Sequence, residues 1–260
     1  MAKFLLQKDS NVLDTETLLL KEALNRGKYL HSYAEASLAK LKESALDKDL
    51  IPVGTIEYVQ AYLEKTYGIH KENPIEIPKY LRTEEFLKRD YKIVNWYDVP
   101  TSGNYFIKNA SKLKDFSYCG EMQYFMYDGI WDAPSLKFDT SLRLSKDDKF
   151  VVSSNFKPLS EYRVYVIENN IEEISHYDGN PLLFPDVELL KKAVSLIEFN
   201  EKWLKSYTID IMVNSLGTAI IEIHNFTSVG LYTTMLGDDL PYAYRDGIDY
   251  LINDNKEIEM

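Results

Sequence analysis

The stretch from Tyr207 to Asn225, YTIDIMVNSLGTAIIEIHN, constrains the fold more than any other. Two alternating apolar runs flank Asn-Ser-Leu-Gly, the signature of a β-hairpin. A three-residue loop of Ser215, Leu216 and Gly217, with Gly217 left-handed, sets a register. Asn214 then faces Thr218, Met212 faces Ile220, Asp210 faces Glu222 and Thr208 faces His224. The period of two puts Ile209, Ile211, Val213, Ala219, Ile221 and Ile223 on the buried face. Asp210 and Glu222 become direct cross-strand neighbours, with Cβ atoms about 4.5–5.5 Å apart. Facing like charges cost stability unless a divalent cation draws them together. Solvated charges on an exposed face are the plainer alternative. The small residues of FTSVGLYTT that follow favour a site, since they let backbone approach a ligand.

At 260 residues, 45% of them hydrophobic, the chain can bury a large core as one domain or as closely packed subdomains. The net charge of −11 argues against broad nucleic-acid binding, which needs Lys and Arg to neutralise phosphates. It leaves room for a local basic pocket. No apolar run of about 18 residues suggests a membrane span, and MAKFLLQKDS turns polar too soon for a secretory signal. The single Cys119 excludes an intrachain disulfide and a zinc ribbon, and points to a reducing cytoplasm.

Residues 1–95 alternate strand, turn and helix, as in a small α/β unit with a partly parallel sheet. KFLLQ reads as a first strand. Asp14 reads as the cap of a helix carrying Leu18, Leu19, Ala23 and Leu24 and stopped by Gly27. LIPV leads through Gly54-Thr55 into a helix with Ile56, Val59 and Leu63 on one face, closed by Gly68. No dinucleotide fingerprint or Walker loop occurs. From residue 96 the texture turns to strands: YFIKN, KFVVSS and SEYRVYVI, the last turning through Asn169-Asn170. Pro185 and Asp186 open a helix with Leu189, Leu190, Ala193, Val194 and Ile197 in period, and DLPYAYRDGIDYLIND is a helix packed back on the body.

Lys108 suits a phosphate-contacting ammonium or a plain surface charge, and Lys112 and Lys114 follow in a basic loop. Arg163 sits among Tyr162, Val164, Tyr165 and Val166, where an unpaired guanidinium would be costly. Either Glu161 pairs with it or an anionic ligand does, and a planar fork suits phosphate. The hairpin also sets His176 across from Arg163, while His224 shares a face with Glu222. No nucleophile elbow or Ser/His/Asp set stands out.

The order of FIKNASKLKDF (106–116), SEYRVYV (160–166), HYDG (176–179), YTIDIMV (207–213) and IEIHNFTSVGLY (221–232) resembles the ATP-grasp family. Within it, the chain is most similar to the clade, common in phages and bacteria, named for one arginine and two lysines. GTIEYVQAYL (54–63) is similar to the segment preceding the grasp. The resemblance implies an α+β fold in which an N-terminal α/β unit, 1–95, precedes an ATP-grasp domain, 96–260, whose two lobes clamp the nucleotide. It implies that Lys108 and one of Lys112 and Lys114 contact phosphate, and that Arg163 faces the γ-phosphate. Val152, Ser153, Ser154, Asn155 and Phe156 would line the adenine, with Glu161 and His224 also contacting the nucleotide. Asp210 and Glu222 would hold magnesium. The family usually has Asn two residues after that Glu; here His224 stands there and Asn225 follows, so the third ligand is open between them.

The implied activity is ATP- and Mg²⁺-dependent joining of a carboxylate to an amine through an acyl phosphate, with peptides and proteins among the acceptors. The setting would be the cytoplasm, a host's if the chain is viral. The competing reading is a nucleotide-binding interaction or assembly-chaperone protein with little turnover. A metal hydrolase built on Asp210, Glu222 and His224 ranks last, since it leaves Lys108 and Arg163 without a role.

Overall fold

The computed structural model describes residues 2–8, 15–27, 31–43, 46–70, 75–111, 117–122, 147–232 and 237–258. Three sheets organise it. The first is parallel, with order β2-β1-β3: β1 (Ala2–Gln7) lies between β2 (His31–Ala36) and β3 (Leu50–Val53). Its crossovers contain α1 (Thr15–Arg26) and α2 (Leu38–Glu43), and α3 (Ile56–Tyr67) follows β3. Phe4, Leu5 and Leu6 are buried in succession, as expected of a strand covered on both faces. α3 is capped at both ends, the second by the predicted Gly68. Thr55 Oγ1 accepts from the Tyr58 N–H, and Gly68 at φ 73° closes the last turn. In α1 the periodic reading needs one correction: Leu18 is 54% exposed and Leu20 is buried in its place. Asp14 lies outside the described residues.

A linking stretch carries the short helix α4 (Glu84–Leu87) into the second sheet. That sheet is antiparallel, with order β4-β7-β5-β6, formed by β4 (Tyr91–Asn95), β5 (Asn104–Asn109), β6 (Ser117–Glu121) and β7 (Lys149–Ser154). Its core includes Trp96, Ile107, Tyr118, Phe150 and Val152. Thus β4, at the end of the 1–95 stretch, is hydrogen-bonded to β7.

The third sheet has order β11-β10-β8-β9, again antiparallel: β8 (Ser160–Ile167), β9 (Asn170–Gly179), β10 (Tyr207–Asn214) and β11 (Gly217–Asn225). On one face lies α5 (Val187–Asn200), capped by Asp186, whose carboxylate accepts from the Glu188 and Leu189 N–H groups. It buries Leu190, Val194 and Ile197 against Tyr162, Val164, Val166, Ile209, Ile211 and Ile223, roughly 1.5–3 kcal/mol for each large side chain. Ile77, Leu81 and Phe86 join the same core. The C-terminal helix α6 (Leu240–Ile258) packs back on the body, as predicted: Ala243, Tyr244 and Ile248 share a core with Phe4, Leu24 and Tyr62 of the first unit. Among the described residues no helix is long and apolar enough to cross a membrane.

Two turns differ from the sequence reading. β8 and β9 join through Glu168 and Asn169, both at positive φ (48° and 65°), with Ile167 paired to Asn170. The turn alone would set Ile174 opposite Arg163; a bulge at Glu172 shifts the pairing by one, so Ser175 faces Arg163 and His176 faces Tyr162, packing edge-on at 5.1 Å. β10 and β11 join through two residues, Ser215 and Leu216, so Asn214 faces Gly217 and Met212 faces Ala219. A bulge at Ile221 then shifts the pairing by one, restoring Asp210 to Glu222 and Thr208 to His224. For the same reason Ile220, fully buried, enters the core where alternation expects Ile221.

Candidate functional site

The bulge decides which way Glu222 faces. With the two-residue turn alone, Asp210 would oppose Ile221 and Glu222 would project from the α5 side. The extra residue turns Glu222 onto Asp210's face and Ile221 into a cleft between the second and third sheets. One row therefore crosses the third sheet: Glu222, Asp210, Arg163 and Ser175, one from each strand.

Each acid in that row has a basic neighbour. Arg163 forks onto Asp210, Nε to Oδ1 at 2.7 Å and Nη2 to Oδ2 at 2.7 Å. Its Nη1 donates to the carbonyls of Val229 and Gly230, the latter at 2.9 Å, and its guanidinium lies 4.9 Å from the Tyr232 ring. Burial disfavours the charged guanidinium, but Asp210 outweighs it and keeps Arg163 ionised. The sequence reading paired Arg163 with Glu161 or a ligand; the partner is Asp210, one strand away. Glu161 instead accepts from the Tyr177 hydroxyl at 2.8 Å. A bulge at Tyr177 re-aims that ring, which stacks on Tyr232 at 4.9 Å. Burial raises the Glu161 carboxyl; Tyr177 opposes the shift, and Asp178, Asp210 and Glu222 add to it.

Glu222 takes its partners from its own strand and from the opposite sheet. His224 Nε2 stands 2.8 Å from Oε1, and Lys108, on β5, forms an ion pair with Oε2. Burial would raise this carboxyl, but His224 and Lys108 prevail and hold it well below the usual carboxylate range. The cleft beside the Lys108–Glu222 pair has walls of Ile75, Tyr91, Phe106, Val151 and Ile221. Its enclosed volume is ≈ 30 Å³. Among the described residues the Lys108–Glu222 pair is an ion pair that spans the second and third sheets.

The predicted adenine-lining residues run from β7 toward β8, the chain's passage from one sheet to the other. Val152 is buried in the second sheet's core and Ser153 is buried, while Ser154 is half-buried. Asn155 is exposed and bonded to Asn104, and Phe156 packs on Phe106 at 5.6 Å. Sequence reasoning missed Arg89, whose guanidinium lies 4.6 Å from Phe156 and donates to the Ile220 and Ile221 carbonyls at 2.7 and 3.3 Å, bracing the bulge. Burial brings its pKa down to about 10. Nothing in the residues around Arg89 signals this task. Tyr177, in the HYDG segment, was legible only as a strand residue.

The oxygen and nitrogen donors of Asp210, Glu222 and His224 lie within 4.8 Å of one another, close enough to share a cation. Two carboxylates fit magnesium; an imidazole does not. The structure does not bring Asn225 to this face. Alternation beyond the bulge turns it with Ile223, it is buried, and its Oδ1 accepts from Thr227 Oγ1 at 2.7 Å. Lys112 and Lys114 lie outside the described residues.

No curated protein matches the chain. Among solved structures, D-cycloserine synthetase DcsG is similar over 97% of this chain and 99% of its own, with a TM-score of 0.51 at 9% identity. D-alanine–D-alanine ligase from Bacillus anthracis is similar over 100% of both chains (TM-score 0.49, 14% identity). The ATP-grasp ligase PsnB, in complex with precursor peptide PsnA2 and AMPPNP, is similar over 96% of this chain and 97% of its own (TM-score 0.47, 12% identity). At such identities these structures speak to fold alone. Residues 86–238, more than half the chain, match the ATP-grasp domain of the clade named for one arginine and two lysines, in its second family. That span runs from α4 through both antiparallel sheets and holds every residue of the charged row, and the chain belongs to that family.

Proposed function

We propose that this protein is an ATP- and Mg²⁺-dependent carboxylate–amine ligase. One observation carries the reading: Lys108 from one sheet meets Glu222 of another beside a cleft, and Glu222 stands in one row with Asp210 and Arg163. Membership of the ATP-grasp family supports ATP as the nucleotide. On this reading the adenine lies against Phe156 and the β7–β8 passage, and Lys108 exchanges Glu222 for a phosphate oxygen, helped by Lys112 or Lys114. Arg163 faces the γ-phosphate, with His224 and Glu161 at the edges of the nucleotide. Asp210 and Glu222 would hold the magnesium ion, with Asn225 turned to the other face and His224 left to the nucleotide. The ion neutralises phosphate charge.

The reaction needs no nucleophile from the protein. A substrate carboxylate oxygen attacks the γ-phosphorus and ADP leaves, giving an acyl phosphate. The amine nitrogen then attacks the acyl carbon, phosphate leaves, and the amine proton passes to solvent. Lys108 and Arg163 contribute by positioning and by stabilising developing negative charge. The complex of PsnB with a precursor peptide supports a peptide or protein as a class of acceptor to test first. ATP as reactant and a lone cysteine favour a cytoplasmic setting, a host's for a phage protein. The working division is an N-terminal unit, 1–95, and a grasp domain, 96–260. The packing of Ile77, Leu81 and Phe86 under the third sheet favours ending the first unit nearer residue 70.

The alternative, a nucleotide-binding interaction or assembly protein with little turnover, is favoured by one observation: the site's charges satisfy one another within the chain. A thermal-shift screen of nucleotides, with and without magnesium, tests both readings, because ligand binding stabilises the native state. A magnesium-dependent ATP shift that Asp210→Asn or Glu222→Gln abolishes is the expected result. No shift with any nucleotide overturns both. ADP release in the presence of carboxylates and amines, against binding without release, separates ligase from binder.

A further inference from the structure

We infer that Glu16, on the N-terminal unit, is a positioning residue for Arg163; the inference rests on the reading of Arg163 as a γ-phosphate contact. Glu16 opens α1 and is 7% exposed, an unusual place for a carboxylate. Its Oε1 accepts from the Gly230 N–H and its Oε2 from the Tyr244 hydroxyl at 2.9 Å. Gly230 and Val229 are the two residues whose carbonyls hold Arg163 Nη1. A single peptide loop therefore has its N–H side on Glu16 and its C=O side on Arg163. Two donors converging on one group call for an acceptor-only side chain, and a carboxylate supplies it.

The rest of the loop is held from the same side. Ser228 has φ 50°, an uncommon value for a residue with a Cβ, and its Oγ donates to the Gly54 carbonyl at 2.8 Å. Gly54 itself admits no side chain, since a Cβ there would come within 2.5 Å of Gln7. Behind the loop, Gly247 of α6 backs onto Phe226, where a Cβ would approach the Phe226 carbonyl oxygen to 2.6 Å. Gly230, at φ 72°, lets its carbonyl reach the guanidinium. The parallel-sheet unit thus grips, at Glu16 and Gly54, the loop that aims Arg163, although neither residue touches the charged row itself.

The test is the preference for Mg–ATP over Mg–ADP, measured by titration calorimetry on the full chain. Wild type should prefer ATP. Glu16→Ala should reduce that preference about tenfold with ADP affinity little changed, and Glu16→Gln, whose amide oxygen can still accept from Gly230, should restore most of it. In combination with Arg163→Lys, Glu16→Ala should add little, because both act on one contact. Should Glu16→Ala fail to fold, Ser228→Ala loosens the same loop and should give a smaller loss of the same kind. Equal loss for ATP and ADP, full additivity with Arg163→Lys, or an unchanged preference overturns the inference while leaving the ligase reading intact. A wild type that binds neither nucleotide overturns both.

Discussion

The two antiparallel sheets that flank the cleft have the same number of strands and treat charge in opposite ways. In the third sheet Arg163 and Asp210 are buried together, 6% and 3% exposed, with α5 on the far face and α6 and the N-terminal unit near by. In the second sheet Lys108 is half-buried and its pair with Glu222 bridges the gap. Buried ion pairs are costly to break from one side, whereas half-exposed ones contribute little. The third sheet is therefore a stiff jaw whose charges are locked within it, and the second a looser jaw whose ion pair to it, among the described residues, is the more exposed Lys108–Glu222.

The largest expected effect breaks the stiff jaw. Arg163→Met leaves Asp210 buried without its fork and should lower unfolding stability by about 3–5 kcal/mol in urea titration. A loss under about 1 kcal/mol would mean that water reaches Asp210 and that the two jaws do not differ in this way. Lys108→Met is the contrasting change. Its pair is more exposed than that of Arg163 and His224 still faces Glu222, so stability should fall by only about 1–2 kcal/mol, less than for Arg163→Met. ATP affinity should nevertheless fall about tenfold, because one phosphate contact is lost. A stability loss as large as that of Arg163→Met would erase the comparison.

How far the sequence revealed this is best judged at the hairpin. Alternation with a three-residue loop paired Asp210 with Glu222 and Thr208 with His224, and both pairs stand. Yet the loop was read one residue too long and the bulge at Ile221 was not foreseen, so pairs nearer the turn were misassigned. The two differences cancel beyond the bulge. A bulge has no fixed side-chain signature; here Arg89, far away in sequence, braces it. The partner of Arg163 was hidden for a related reason. Glu161 lies two residues away on the same strand, but β8 pairs with β10 across a topology that local patterning does not encode. The N-terminal α/β sheet, the Gly68 cap of α3 and the packing of α6 were legible because capping and periodicity are local. The order of short motifs sufficed for the family; the grip of Glu16 on Gly230 joins residues too far apart in sequence for any motif to report.

The smallest expected effect sharpens the comparison within the stiff jaw itself, where Glu161 is the one acid whose carboxyl is raised and whose hydrogen-bond partner is a hydroxyl rather than a cation. An acid with a raised folded-state pKa binds its proton more tightly folded than unfolded. Between the ordinary carboxylate range and that raised value the native state carries the extra proton, so stability falls as pH rises through the window. Above it the ionised carboxylate is a fixed cost. Glu161→Gln removes the titration and can still accept from Tyr177. The variant should therefore melt higher than wild type at neutral pH, and the difference should shrink as pH falls through the same window. A variant less stable than wild type at neutral pH would mean that the Glu161 charge has a cationic partner after all. The contrast with Asp210, whose charge is compensated by Arg163, would then disappear.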